Sequence, residues 1–270
     1  MAETPDGFTP TLERFSGFAA EYDRYRASPP DALAGVLSLL AGVDRPELVV
    51  DLGSGTGLST RYWADRATRV IGIEPNPDMR AEAGRRTQSA SVSFEAAFSH
   101  ATGLPDHCVS IVTCVQALHW MEPGSTFREA QRILKRGGVF AAVDYDWPPV
   151  TGSWRADQAW AECIERVDRM EETLPSPRPL RWFKGEHLGR MQSSGCFRHV
   201  REFALHHVDD GDAERLVGLL MSQGSVMDLL KAGHSAAELG LADVRAVATA
   251  EFGSGVRPWY WTARVRAASV

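Results

Sequence analysis

From Val49 to Met79 the chain reads VVDLGSGTGLSTRYWADRATRVIGIEPNPDM, and this stretch restricts the fold more than any other. A short apolar run, VVDLG, ends at closely spaced glycines, Gly53, Gly55 and Gly57. A helical pattern, LSTRYWADRA, follows, and a second apolar run, RVIGIE, ends at Glu74. Strand, tight turn, helix and strand in so few residues predict a crossover between parallel strands in a sheet covered by helices.

The flanking sequence keeps the same rhythm. PDALAGVLSLLAGV places Leu33, Val36, Leu37 and Leu40 on one helical face, with Asp31 near its start. PDMRAEAGRRTQ predicts a helix, VSFEAA and SIVTCVQA strands, and STFREAQRILK an amphipathic helix stopped by Gly137 and Gly138 before the strand GVFAAVDYD. After Asp146 the rhythm changes to a loop, a long amphipathic helix (RADQAWAECIERVDRMEE), the proline-rich LPSPRP and a second helical stretch. Strand patterning resumes in HVREFALHHV, three short helical stretches occupy residues 212–250, and RPWYWTARVRA alternates as a closing strand. The expected organisation is one α/β domain over residues 1–270. Within it lie an N-terminal arm (1–30), a ligand-binding half (31–146), a helical cap inserted between the fifth and sixth strands (147–198), and a segment completing the sheet (199–270).

Composition narrows what such a domain binds. At 270 residues and 44% hydrophobic the chain can bury a full core, and its net charge of −6 disfavours a general nucleic-acid surface. No apolar run is long enough to span a membrane, and the opening MAETPDGFTP does not read as a secretory signal. Cys108, Cys114, Cys163 and Cys196 have neither paired nor metal-ligand spacing, which suits free thiols in a reducing cytoplasm and predicts no metal site. Basic residues are nearly all Arg, with Lys only at 135, 184 and 231, as in a GC-rich bacterial gene.

Ligands of open α/β sheets bind at the carboxyl ends of the strands, where the strand order reverses. Glycines there let the backbone lie against the ligand, and Glu74 is placed to accept hydrogen bonds from a ribose diol. Two details argue against a dinucleotide. Asp51 would repel a pyrophosphate but suits an ammonium or sulfonium charge. The spacing G-S-G-T-G also brings the third glycine one residue earlier than the dinucleotide pattern does. A cationic nucleoside fits both.

VVDLGSGTG resembles the first motif of class I S-adenosylmethionine-dependent methyltransferases. IEPNPDM, GLPDHCVSIVTCVQALHWM and ILKRGGVF extend that resemblance over most of the chain. EYDRYRASPP and ALHW resemble the small-molecule branch containing trans-aconitate-type and ubiquinone/menaquinone-type enzymes. The resemblance implies a Rossmann-like, seven-stranded, mostly parallel sheet with an antiparallel last strand, an N-terminal lid and S-adenosylmethionine as cofactor. It places Asp51, Gly53, Ser54, Gly55 and Gly57 around the methionine part of the cofactor, Glu74 at the ribose, and Pro75, Asn76 and Met79 beside the adenine. Phe98 stands where the family commonly has an acid, so apolar contact with the adenine is expected, with Ser99 or His100 as the polar partner.

Other residues carry two readings each. His119, beside Trp120 after the fourth strand, is a general base or orienter of the acceptor, or a structural rim histidine. Gln116 contacts the cofactor or satisfies the strand end. Tyr22, Tyr25 and Arg26 form a lid, with Tyr25 and Arg26 on the cofactor and Tyr22 toward the acceptor, or a helix packed on the body; the resemblance favours the lid. Trp147, directly after DYD, faces the expected acceptor site, and Asp144 and Asp146 are acceptor-binding or turn residues.

The expected function is in-line methyl transfer to carbon, nitrogen or oxygen of a small aromatic or heteroaromatic metabolite. Its expected setting is bacterial specialised metabolism in the cytoplasm, with neither nucleic acid nor membrane as partner. The alternatives are a methyltransferase acting on nucleic acid or protein, and a fold that binds the cofactor but catalyses another reaction or serves as a binding module.

Overall fold

The computed structural model describes residues 8–175 and 179–270, so the start of the N-terminal arm and the centre of LPSPRP lie outside the described residues. The strands are β1 (Leu48–Leu52), β2 (Arg69–Ile73), β3 (Val92–Glu95), β4 (Val109–Val115), β5 (Leu134–Tyr145), β6 (Arg198–Gly211) and β7 (Arg257–Ser269). They form one sheet in the order β3-β2-β1-β4-β5-β7-β6. The first five pair in parallel, and β7 runs antiparallel to both β5 and β6. The expected Rossmann-like sheet with an antiparallel last strand is therefore the observed one. Strand order reverses between β1 and β4, which puts the switch point directly beyond the glycines.

Eleven helices are described: α1 (Thr9–Arg14), α2 (Ala19–Tyr25), α3 (Ala32–Leu40), α4 (Leu58–Tyr62), α5 (Pro77–Arg86), α6 (Pro123–Ile133), α7 (Trp154–Glu171), α8 (His187–Ser193), α9 (Ala213–Met221), α10 (Gly224–Lys231) and α11 (Leu241–Phe252). α7 and α8 lie between β5 and β6. Local chemistry sets the helix starts. The Asn76 side chain accepts from the amides of Asp78 and Met79 ahead of Pro77, and Glu122 does the same for Gly124 and Ser125 ahead of Pro123. Among the described residues, no helix is long and apolar enough to cross a membrane.

Alternate residues of the central strands feed two cores. Val49, Val70, Ile111 and Val139 pack with Leu33, Leu37 and Trp63 on one face. Val50, Ile71, Val112 and Phe140 pack with Phe127 and Ile133 on the other. One boundary differs from expectation. α6 ends at Ile133, not at Gly137, because Leu134 is already extended (ψ 137°) and pairs with Val109 in the sheet. Bridging to β4 outcompetes the last helical turn.

Candidate active site

The glycine turn is held from below. Gly53 and Ser54 both donate their amides to the Ile73 carbonyl, at 2.8 and 3.1 Å, which stitches the turn to the end of β2. Gly55 has φ +54°, a left-handed conformation, and nothing within 4 Å of where a Cβ would stand, so its backbone faces open space. Its amide donates to Glu74 Oε2 at 2.9 Å, while Asn76 donates to Oε1 at 2.8 Å. Each carboxylate oxygen keeps a second lone pair. Burial pushes the Glu74 carboxyl up from its ordinary value, and the two amides and Arg80 pull against that shift.

These groups line a cleft at the carboxyl ends of the parallel strands. It is walled by Gly53, Ser54 and Gly55 after β1, Glu74, Pro75, Asn76 and Met79 after β2, Phe98, Ser99 and His100 after β3, and Gln116 and Trp120 after β4. Phe8, Leu12, Phe15, Tyr22 and Arg26 close it from the N-terminal side. The space is about 1160 Å³, open solvent at the mouth included. Asn76 also ties the arm down, donating from Nδ2 to the Leu12 carbonyl (2.7 Å) and Ser16 Oγ (3.1 Å). Phe98 stacks on His100 at 5.5 Å, and the Ser99 hydroxyl is engaged with Thr126 Oγ1 at 2.9 Å.

A second chamber adjoins the first and shares Phe15, Tyr22, Arg26, Gln116 and Trp120 with it. Beyond that shared wall it is lined by residues that include His119, Trp147, Trp160, Arg14, Asp168, Arg181 and Lys184, the last six contributed by α1 and the segment between β5 and β6. Trp147 and Trp160 stack at 5.8 Å and 12°, and Trp147 meets Trp261 edge-on at 5.3 Å. Arg26 lies 4.7 Å from the Tyr22 ring and 4.9 Å from Trp147, with its guanidinium donating to Ser222 Oγ and the Ser222 carbonyl.

Gln116 stands where the chambers meet. Its φ of +53° is uncommon for a residue with a side chain. Its amide donates to the Val143 carbonyl at 2.8 Å, its Oε1 accepts from Lys184 Nζ at 2.6 Å, and its buried Nε2 has no partner among the described residues. His119 is buried, with Nδ1 3.9 Å from Asp144 Oδ1, too far for a hydrogen bond. Burial and the charges of Lys184, Arg181 and Arg26 hold its imidazole well below the ordinary histidine range, so the ring is neutral at pH 7.

Five expected contacts are corrected. Asp51 does not line the cleft: it is fully buried beneath the turn, accepting from Ser59 (2.5 Å), Thr60 (2.7 Å) and Thr113 (2.9 Å) hydroxyls. Position 51 falls on the same strand face as Val49, which points into the core. Gly57 also misses the cleft wall; its left-handed φ of +83° and a Cβ position 2.8 Å from the Phe94 ring both demand glycine there. Tyr25 turns away to donate to Glu214 Oε1 at 3.1 Å and to pack against Gly218. Asp144 is buried in a charge cluster with Arg266 (2.8 Å) and Lys184 (3.1 Å) and lines neither chamber. Asp146 pairs with Arg264 at the surface.

Lys184, Arg181 and Trp160 join the site without having been anticipated as members. For Lys184 a signal existed: it is one of only three lysines in an arginine-rich chain.

Comparison with known proteins concerns the same residues. Residues 50–142 match the methyltransferase domain family. The chain is 24% identical over 147 residues to a protein of Dictyostelium discoideum named as a methyltransferase, with 54% of each chain covered. It is 31% identical over 130 residues to an uncharacterized methyltransferase of Mycobacterium tuberculosis, covering 48% of this chain and 51% of the relative. The chain thus spans about half the length of the curated relatives it matches. Among solved structures, a protein of Anaeromyxobacter dehalogenans named as a type II methyltransferase is similar in fold. It has a TM-score of 0.67 and 22% identity, with 91% of this chain and 98% of that one covered. The matched segment runs from β1 into β5, the very strands whose ends build the cleft, and over that segment the chain is similar to the methyltransferase domain family.

Proposed function

We propose that the protein transfers a methyl group from S-adenosylmethionine, held in the first cleft, to a small acceptor held in the second chamber. One observation carries this reading: the chambers share Phe15, Tyr22, Arg26, Gln116 and Trp120, so occupants of the two abut. The first cleft fits the cofactor. Gly55 leaves backbone open to a ligand, Glu74 keeps free lone pairs for two ribose hydroxyls, and Pro75, Met79 and Phe98 offer apolar surface to an adenine.

The bound cofactor supplies a methyl group already activated on a sulfonium. The chain's residues have to align the acceptor and exclude water. Alignment alone contributes roughly 7–11 kcal/mol in favourable cases, so a dedicated base is not required. The Trp120, Trp147 and Trp160 walls favour a flat aromatic or heteroaromatic acceptor. His119, neutral and on the wall of this chamber, orients that acceptor by hydrogen bonding. Its depressed basicity makes it a poor proton sink. Free cysteines and arginine-rich composition favour a bacterial cytoplasmic setting in specialised metabolism.

Incubation with methyl-labelled S-adenosylmethionine and a panel of phenols, indoles, amines and aromatic acids tests the proposal. Label appearing in at least one acceptor is the expected result. Tight binding of S-adenosylhomocysteine with no transfer to any acceptor would favour a cofactor-binding module instead.

A further inference from the structure

The second chamber has the opposite charge to the chain that encloses it. The protein carries a net −6, yet Arg14, Arg26, Arg181 and Lys184 line this chamber against one carboxylate, Asp168. The four cations are not equivalent. Arg14 pairs with Glu171 and with Asp228, and Lys184 pairs with Asp144. Arg26 and Arg181 have no acidic partner among the described residues. Arg26 is anchored only by the neutral Ser222, and Arg181 lies 5.7 Å from the Trp120 ring without an ion pair.

Two guanidiniums without an ion pair share one aromatic-walled space with the single carboxylate Asp168. Arg26 is buried, and holding its charge away from water is costly unless an anion arrives to pair with it, while the exposed Arg181 can reach the same anion. Guanidinium is also the group best matched to the planar, two-oxygen geometry of a carboxylate. Setting Asp168 against the two free cations leaves one positive charge, which a monoanion balances and a dianion overshoots.

Resting on the methyl-transfer reading above, we infer that the acceptor is an aromatic carboxylate. Its anionic end pairs with Arg181 and Arg26, and its flat body lies along the Trp120 and Trp147 rings. The carboxylate is the recognition handle, and it selects against neutral and cationic analogues of the same shape. The net-acidic exterior makes this selectivity local to the chamber.

Calorimetry on the full chain saturated with S-adenosylhomocysteine tests this with three matched probes: indole-3-acetate, indole-3-acetamide and tryptamine. The acetate is expected to bind at least ten-fold more tightly than the amide, with the amine weakest. Arg181→Gln, at an exposed position that does not line the first cleft, is expected to remove most of that preference while leaving affinity for S-adenosylhomocysteine unchanged. Arg181→Lys is expected to restore part of it. Equal binding of acid and amide, no binding of the acid, or a preference untouched by Arg181→Gln would overturn the inference alone. Failure of S-adenosylhomocysteine to bind would bring down the methyl-transfer reading and this inference with it.

Discussion

Lys184 donates to Gln116 Oε1 at 2.6 Å, joining the segment between β5 and β6 to the end of β4 at the meeting point of the two chambers. The same ammonium lies 3.1 Å from Asp144 Oδ1, and Arg266 takes Asp144 Oδ2 at 2.8 Å. Burial lowers the Lys184 pKa and the Asp144 charge works against that shift. One lysine therefore fixes a side chain on an unusual backbone and balances a buried carboxylate.

Lys184→Met is expected to loosen Gln116 while Arg266 still holds Asp144. Stability should fall by about 1–3 kcal/mol, the usual cost of leaving a buried polar group short of a partner. Acceptor kcat/KM should fall about ten-fold, mainly through KM. Lys184→Arg should recover most of both, since it keeps the charge. Steady-state kinetics and thermal melts read the two effects, and an unchanged KM in Lys184→Met would refute the positioning role.

Glu74 predicts a pH dependence of cofactor binding. Its folded-state pKa is raised by burial, so the fold itself favours the protonated form. The carboxyl's contribution to stability is therefore fullest below the ordinary glutamate range and is lost as pH rises through the raised value. Binding runs the other way, because ribose hydroxyls need the ionised oxygens as acceptors. Affinity for S-adenosylhomocysteine, measured by calorimetry from pH 8 downward, should begin to fall above the pH at which an ordinary glutamate would protonate. Glu74→Gln should bind about ten- to a hundred-fold more weakly and without that pH dependence, by the roughly 1.5–3 kcal/mol of a charged hydrogen bond. A wild-type profile as flat as the variant's would count against the ribose role.

What could be read from the sequence was whatever depends on neighbours along the chain. The β1–turn–α4–β2 unit and the acid at Glu74 both follow from spacing within about one crossover. The fates of Asp51 and Tyr25 do not. Asp51 is satisfied by Thr113, 62 positions away, once β4 lies beside β1, and Tyr25 by Glu214, 189 positions away. A carboxylate next to a binding turn reads the same whether it faces the ligand or the core; only the strand register decides, and it points Asp51 inward. The second chamber was equally hidden, because its walls come from α1, β4 and the segment after β5, which meet only in the finished fold.

Asp51 offers a direct check on that correction. Burial raises its pKa and three hydroxyl hydrogen bonds work against the shift. Asp51→Ala strands Ser59, Thr60 and Thr113, and is expected to cost about 2–4 kcal/mol of stability, each orphaned buried group costing about 1–3 kcal/mol if unrelieved. Near-conservative Asp51→Asn should cost less. At a temperature where either variant remains folded, affinity for S-adenosylhomocysteine should change less than three-fold. A loss beyond ten-fold in a well-folded variant would return Asp51 to the ligand.

His119 separates orientation from proton removal. Its imidazole is neutral because burial and the neighbouring cations disfavour the protonated ring, and Asp144 is too far to reverse this. A depressed histidine pKa contributes stability above the unfolded-state value, and that contribution is lost as pH falls below about 6.5, where the unfolded chain alone takes up a proton. His187, lowered to about 4 by burial, adds a loss of the same sign. The melting temperature should therefore drop between pH 7.5 and pH 5.5, and His119→Gln should shrink that drop while His187 and His207, also lowered by burial, maintain the remainder. In activity, a general base typically contributes 10²–10⁴-fold, whereas an orienting hydrogen bond worth roughly 1 kcal/mol accounts for less than ten-fold. His119→Gln, which keeps a hydrogen-bonding side chain, is expected to retain more than a tenth of kcat. The wild-type rate should show no titration near pH 6.5 assignable to this ring. A hundred-fold loss of kcat with unchanged acceptor affinity would make His119 the base after all.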